Sequence, residues 1–322
     1  MKKIMLFVLA LCLCVTAFGA AFAETAEADA TAAESSAAEV PAAEAPKAEM
    51  TTEELYQAGL NALNAEDYGK ALEYFQPAAD AGDAYALGAV GYLYNFGLGV
   101  EQDYGKDFEY YQKAADAGDA YALGAVGYLY DFGLGVEQNY GKAFEYYQKA
   151  ADLGNAESLF NLGVMYHFGQ GVEQDYGKAL EYYQKAADLG DATALNNLGF
   201  MYEEALGVEQ DYSQAMKYYQ QAVDLGEAFA YTGLGDLYRY GKGVEQDYAK
   251  ALEYYSLAAE QGVPNAMFEI GSCYDLGQGV EKDLDKAAEW YRKALDAGYE
   301  PNEEVQARLK EVLGGRISAE IK

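Results

Sequence analysis

Apolar side chains from Tyr140 onward fall at Ala143, Phe144, Tyr147, Ala150 and Ala151, three and four residues apart. Ala156, Leu159, Leu162, Gly163 and Tyr166 follow with the same spacing. This is the period of a helix that buries one face, so two successive helices are expected. The first opens at Asn139 or Tyr140, runs to about Leu153 and stops at Gly154, a residue suited to a left-handed helix end. Asn155 caps the second. The segment Gly169-Gln170-Gly171-Val172-Glu173-Gln174 then turns the chain. Its two glycines suit positive φ, and Val172 is placed to plug the gap between helices.

This two-helix pattern recurs. Asp67–Gln102 and Asp103–Gln138 are identical at 31 of 36 positions, and the same 36-residue unit starts again at Asn139, Asp175, Asp211 and Asp247. A fixed period of this size marks a solenoid, in which each unit buries its apolar face only against its neighbours. Gly91, Gly127, Gly163, Gly199, Gly235 and Gly271 all occupy one mid-helix position. Glycine there costs about 1 kcal/mol relative to alanine. Its repetition predicts that another helix backbone passes close by. At least one member of each pair Tyr110-Tyr111, Tyr146-Tyr147 and Tyr182-Tyr183 is expected in the core.

The repeat is flanked by other elements. Thr52 is expected to cap an N-terminal helix, residues 51–66, with Leu55, Ala58, Leu60 and Leu63 apolar. Six units are expected over 67–282. A partial unit over 283–313 follows, with one helix over Asp283–Ala297, a stop at Gly298 and a final helix over Glu303–Leu313. Glu303, Glu304, Gln306, Arg308, Lys310 and Glu311 give that last helix the polar outer face a terminal repeat needs. Residues 314–322 form a tail. Residues 24–50 are rich in Ala, Glu, Thr, Ser and Pro and lack the large apolar residues of a core, the composition of a disordered spacer.

Residues 1–23 change the picture of where the chain works. Met1-Lys2-Lys3 is basic, Ile4–Ala17 is almost wholly apolar, and Ala21-Phe22-Ala23 offers small residues for a peptidase before Glu24. This is the pattern of a secretory signal peptide cleaved after Ala23. The apolar run is short for a membrane span of roughly 20 residues. A periplasmic or secreted chain with no remaining membrane span is expected. Cleavage removes Lys2 and Lys3, taking the formal charge from -31 to -33, and removes two of the three cysteines. Cys273 remains, so no intramolecular disulfide can form; a small buried hydrophobe is its expected role. The acidic balance excludes nucleic acid and anionic lipid as natural partners, and it also serves solubility.

Residues 50–300 resemble Sel1-like repeats, relatives of the tetratricopeptide repeat. Leu162-Gly163, Tyr166, Gly169-x-Gly171-Val172, Asp175, Tyr182-Tyr183, Ala186-Ala187 and Gly190 follow that family's pattern in order. Glu204-Ala205-Leu206-Gly207 lacks the first loop glycine, so its turn is expected to differ. Val90, Val126 and Ile270 replace the leucine, and Pro264 stands at a first helical position, which tolerates it. The resemblance implies an all-α fold, a right-handed α/α superhelical solenoid of helix pairs that acts as a scaffold or adaptor. Some cysteine-rich exported relatives are described as β-lactamases, and a cell-wall or β-lactam hydrolase is the alternative function. Those relatives carry a cysteine pair in each repeat, which this chain lacks.

Catalytic motifs are missing from the sequence. His167 is the single histidine, without a cysteine in its unit, and no Ser-x-x-Lys set or phosphate-binding loop is present. No cofactor, metal ion or catalytic residue is expected, and the chain is read as a non-enzyme. A diffuse cation sink on the acidic surface is a third reading. If the register follows the tetratricopeptide family, the first helix of each pair lines a concave face. It does so with the third, sixth, tenth, thirteenth and fourteenth residues after the loop glycine. That rule selects Tyr85, Tyr92 and Phe96, then Tyr121, Tyr128 and Phe132, then Phe160, His167 and Phe168, then Asn196 and Phe200, and finally Arg239 and Tyr240. A monomer binding a protein or extended peptide through these side chains is the principal expectation; packing between adjacent helices is the competing role for the aromatic ones.

Overall fold

The computed structural model describes residues 50–312 and Gly314, which form two compact units, 50–174 and 175–314. The expected signal peptide, the spacer up to residue 49 and the tail beyond Gly314 lie outside the described residues. The fold is all-α: fifteen helices lie among the described residues. In the first unit they are α1 (Thr52–Asn64), α2 (Tyr68–Asp80), α3 (Ala84–Phe96), α4 (Tyr104–Asp116), α5 (Ala120–Phe132), α6 (Tyr140–Asp152) and α7 (Ala156–Phe168). The second unit holds α8 (Tyr176–Asp188), α9 (Ala192–Glu204), α10 (Tyr212–Asp224), α11 (Ala228–Tyr240), α12 (Tyr248–Glu260), α13 (Pro264–Leu276), α14 (Leu284–Asp296) and α15 (Glu303–Val312).

Local chemistry sets the boundaries. Asp103, Asn139, Asp175, Asp211, Asp247 and Asp283 each accept a backbone N–H in the first turn of a second helix. Asp83, Asp119, Asn155 and Asp191 do the same for first helices, satisfying donors that have no partner inside the helix. At the N-terminus the cap is Thr51, not Thr52: Thr51 and Glu54 exchange hydrogen bonds as a capping box. Gly169 and Gly171 sit at φ +70° and +71°, and a Cβ on Gly171 would meet the Tyr140 carbonyl oxygen at 2.6 Å. The Ala205 loop does not differ as expected. Ala205 takes φ 58° and ψ 40°, the same left-handed state, and its N–H donates to the Met201 carbonyl as that of Gly169 does to Met165.

One loop contact had no signal in the periodicity. Gln102 Nε2 donates to the Asn95 carbonyl at 2.6 Å, Gln138 to Asp131 at 2.6 Å, Gln174 to His167 at 2.7 Å, Gln210 to Glu203 at 2.8 Å and Gln246 to Arg239 at 2.8 Å. Each glutamine closes a carbonyl in the last turn of the preceding first helix.

First and second helices differ in depth. Every residue of α7 from Ser158 to Met165 is buried, and so is every residue of α5 from Ala122 to Leu129. On α6 only Ala143, Tyr147 and Ala150 are buried. First helices are therefore central layers, apolar on most sides, and second helices lie outside them with one buried stripe. The tyrosine pairs behave as expected, since Tyr111, Tyr147, Tyr183, Tyr219 and Tyr255 are buried.

The glycine column has a different cause from the one expected. A Cβ on Gly127 would stand 2.8 Å from the Tyr147 ring, on Gly199 2.7 Å from Tyr219, and on Gly271 2.6 Å from Tyr291. A ring from the following second helix, not a helix backbone, fills the space that the missing side chain leaves. The same tyrosine then sends its hydroxyl one turn further along the first helix. Tyr147 donates to Asp131 at 3.3 Å and Tyr219 to Glu203 at 2.8 Å. Glycine at one position and a hydrogen-bond acceptor four residues later thus hold a ring and its hydroxyl together.

Candidate partner-binding surface

The structure divides the first-helix strip into two sets. Tyr85 is 57% exposed and Tyr240 56%, and Phe132 is also exposed. Tyr92, Phe96, Tyr121, Phe168, Asn196 and Phe200 are half-buried. Tyr128, Phe160, His167 and Arg239 are buried, against the expectation that the register points them to solvent. The reason is close packing of successive first helices. A Cβ on Gly124 of α5 would lie 2.9 Å from Ser158 Oγ of α7. Side chains on that flank are enclosed between helices. Tyr128 packs on Phe132 with ring centroids 4.5 Å apart, and His167 on Phe168 at 4.6 Å.

Buried polar residues on this flank are tied down by their neighbours. Burial pushes the His167 imidazole down to about 4, so it is neutral at pH 7. Asp131 is pushed up to about 6 by burial, which the Tyr147 hydrogen bond only partly opposes. In the second unit Glu203 accepts from Lys242 Nζ at 2.7 Å. Arg239 pairs with Glu269 and donates to Ser272 Oγ at 2.8 Å and Gln278 Oε1 at 3.1 Å. Burial works against its charge, and the Glu269 carboxylate holds it above its ordinary value. Arg308 was expected on the polar outer face of α15. It stays partly exposed and pairs with Glu311, but it also grips the buried Asp275 through two bonds of 2.8 and 2.5 Å. An uncompensated carboxylate there would be costly, so the terminal helix supplies its counter-charge.

A cavity of about 320 Å³ opens between α13, α14 and α15, lined by Phe268, Ser272, Asp275, Leu276, Tyr291, Val305, Arg308 and Leu309. Phe268, Ser272, Asp275 and Leu276 are the sixth, tenth, thirteenth and fourteenth residues after Gly262. They carry the strip register one repeat beyond Tyr240, so the spacing from the loop glycine marks them in the sequence as well. Phe268 stacks on Tyr299 at 4.5 Å, and Leu276 is exposed at the rim.

Among the described residues no group of three or more His, Cys, Asp or Glu is arranged to hold a metal ion. Cys273 is buried and free, and burial pushes its thiol up to about 11, far from a reactive thiolate. No helix among the described residues is long and apolar enough to cross a membrane.

The helix pairs, their loops and their glycine-seated rings recur in step with one family model, the Sel1 repeat. It matches seven stretches in succession, 54–83, 84–119, 120–155, 156–191, 192–227, 228–263 and 264–299. The chain belongs to the Sel1 repeat family. This Sel1 repeat protein is similar to a solved Sel1 repeat protein from Oxalobacter formigenes, at 34% identity and a TM-score of 0.70, over 77% of this chain and 100% of that one. It is also similar to c5321, a protective antigen present in uropathogenic Escherichia coli strains and displaying an SLR fold, at 32% identity and a TM-score of 0.66. That match covers 82% of this chain but 57% of the antigen's length. The Cut9-Hcn1 hetero-tetramer of the APC/C, at 19% identity and a TM-score of 0.56, shares the fold alone. No curated protein matches the sequence.

Proposed function

We propose that this Sel1 repeat protein is an exported, non-enzymatic scaffold that binds a protein or an extended peptide through the solvent-facing side chains of its first helices. The observation that carries this reading is that large side chains at the strip positions of the first helices remain exposed. Tyr85, at the third position after its loop glycine, and Phe132, Tyr240 and Leu276, each at the fourteenth, are exposed on helices whose other residues are buried or half-buried. Large side chains with few rotatable bonds give contact area at low entropic cost, so exposed ones suit a binding surface. Membership of a family of repeat solenoids supports the same reading. Export rests on the signal-like pattern of residues 1–23. The hydrolase alternative and the cation-sink reading draw no support from the geometry of the described residues.

The test is partner capture by the chain from residue 24, using periplasmic extract of the native host. Replacing Tyr85, Phe132 and Tyr240 with Ser should abolish capture while circular dichroism and thermal unfolding stay unchanged. Undiminished capture by that folded variant overturns the role given to these side chains. Export is tested separately, by finding Glu24 at the N-terminus of the chain recovered outside the cytoplasm.

A further inference from the structure

The charge of the first unit is distributed unevenly. Residues 50–174 contain 19 acidic side chains and five lysines, Lys70, Lys106, Lys113, Lys142 and Lys149, with no arginine. All five lysines are on the second helices α2, α4 and α6. There they lie over tyrosine rings: Lys106 Nζ is 4.6 Å from the Tyr94 centroid, Lys142 4.7 Å from Tyr130 and Lys149 4.9 Å from Tyr146. The first helices α1, α3, α5 and α7 carry no lysine or arginine. On α3 and α5 the exposed side chains are the aromatic Tyr85 and Phe132, with Asp131 and Glu157 as neighbours and the capping carboxylates Asp83 and Asp119 at the helix starts.

The rings form a repeated arrangement. Tyr92 packs on Phe96 at 4.8 Å and, one unit later, Tyr128 on Phe132 at 4.5 Å, while Tyr85 extends the strip toward Tyr56 at 5.9 Å. Aromatic faces next to carboxylates, with the protein's own cations held elsewhere, attract cationic side chains on two counts. A second copy of this chain, nucleic acid or an anionic membrane would each bring like charge to the same face.

We propose that the first-helix face of residues 84–132 takes an extended Lys- or Arg-rich segment of a partner protein, whose side-chain cations lie against Tyr85, Phe96 and Phe132. Phe96 and Phe132 occupy the same position in successive repeats, so the segment meets that ring twice, and a partner with regularly spaced cations fits best. This deepens the scaffold reading and rests on it.

The test uses the chain from residue 24 and fluorescein-labelled Arg-Gly and Glu-Gly repeat peptides of equal length, read by anisotropy at an ionic strength of about 0.15 M. Saturable binding of the Arg-Gly peptide alone is expected. The Tyr85→Ser, Phe96→Ser, Phe132→Ser triple variant should bind it about tenfold more weakly, and Leu153→Ser, on the exposed turn after α6, should bind it as the parent does. Phe96 is half-buried, so the Tyr85→Ser, Phe132→Ser double variant serves if the triple variant unfolds. Equal binding of both peptides overturns the proposal, and so does Arg-Gly binding that the aromatic substitutions leave unchanged. If neither peptide binds while host proteins are still captured through Tyr85 and Phe132, the cationic partner is wrong and the scaffold reading stands. If capture fails as well, both fall.

Discussion

Asn95 donates its side-chain amide to Asp107 Oδ2 at 2.6 Å, joining the first helix α3 to the second helix α4. Both residues are among the five differences between the near-identical units that start at Asp67 and Asp103. Alanine, Ala71, stands in the first unit where Asp107 stands in the second, and Asp131 stands in the second where Asn95 stands in the first. Asp131 is followed, twelve residues on, by Ala143. The chain therefore pairs Asn with Asp at one seam and Asp with Ala at the next, and avoids placing two carboxyls in one buried contact. Asp107 is fully enclosed, and its Oδ1 has no hydrogen-bond partner among the described residues.

Replacing Asn95 with Asp should destabilise the protein by about 2–3 kcal/mol, because the part-buried hydrogen bond to Asp107 is lost and a second carboxyl faces it. Urea denaturation measures the change. Adding Asp107→Ala recreates the combination found at Asp131 and Ala143, and the double variant should recover most of the loss.

Stability should depend on pH in a defined direction. Burial pushes Asp107 up to about 8 and Asp131 up to about 6, so the folded chain keeps protons that the unfolded chain releases near 3.8. Each group therefore costs more stability as pH rises through that window. His167, pushed down to about 4 from 6.5, has the opposite sign and acts only below 6.5. Between about pH 6.5 and pH 8.5 the carboxyl effect stands alone, and the denaturation midpoint should fall as pH rises. Asp107→Ala should flatten this slope; an unchanged slope would assign it to general charge repulsion.

Gly127→Ala should cost about 1–3 kcal/mol, the usual range for overpacking, because the new methyl group meets the buried Tyr147 ring. Gly69→Ala provides the contrast. No atom lies within 4 Å of a Cβ there, and alanine should stabilise α2 by roughly 0.5–1 kcal/mol. Thermal unfolding of the two variants should move in opposite directions.

Ala205→Gly should stabilise the second unit by about 1 kcal/mol, the strain of a left-handed alanine. The other first-helix loops in the chain already use glycine at that place. A drop in stability would show that the alanine methyl group contributes packing that outweighs its backbone strain.

Much of this fold was legible in the sequence because its determinants are local. Helix spacing, the Asp and Asn caps, the glycine stops and the 36-residue period each depend on a few adjacent residues and on backbone sterics. The aromatic strip was legible only in part. A helical period reports which side chains share a face, and the choice of Tyr85, Phe132 and Tyr240 as exposed survives on that basis.

What the period cannot report is how many faces are covered. First helices are enclosed by their own partner helix and by neighbouring first helices within the same compact unit, so Tyr128, Phe160, His167 and Arg239 are buried although the register places them outward. The same limit applies to Gly127, whose neighbour is the Tyr147 ring, and to Arg308, which reaches Asp275 across 33 residues. The sequence alone determined the elements, their order and the class of surface, since backbone preferences and capping act over one or two turns. Only the tertiary structure decided which side chains remain at that surface and which charges are paired, because both depend on the volumes and donors that distant residues bring together.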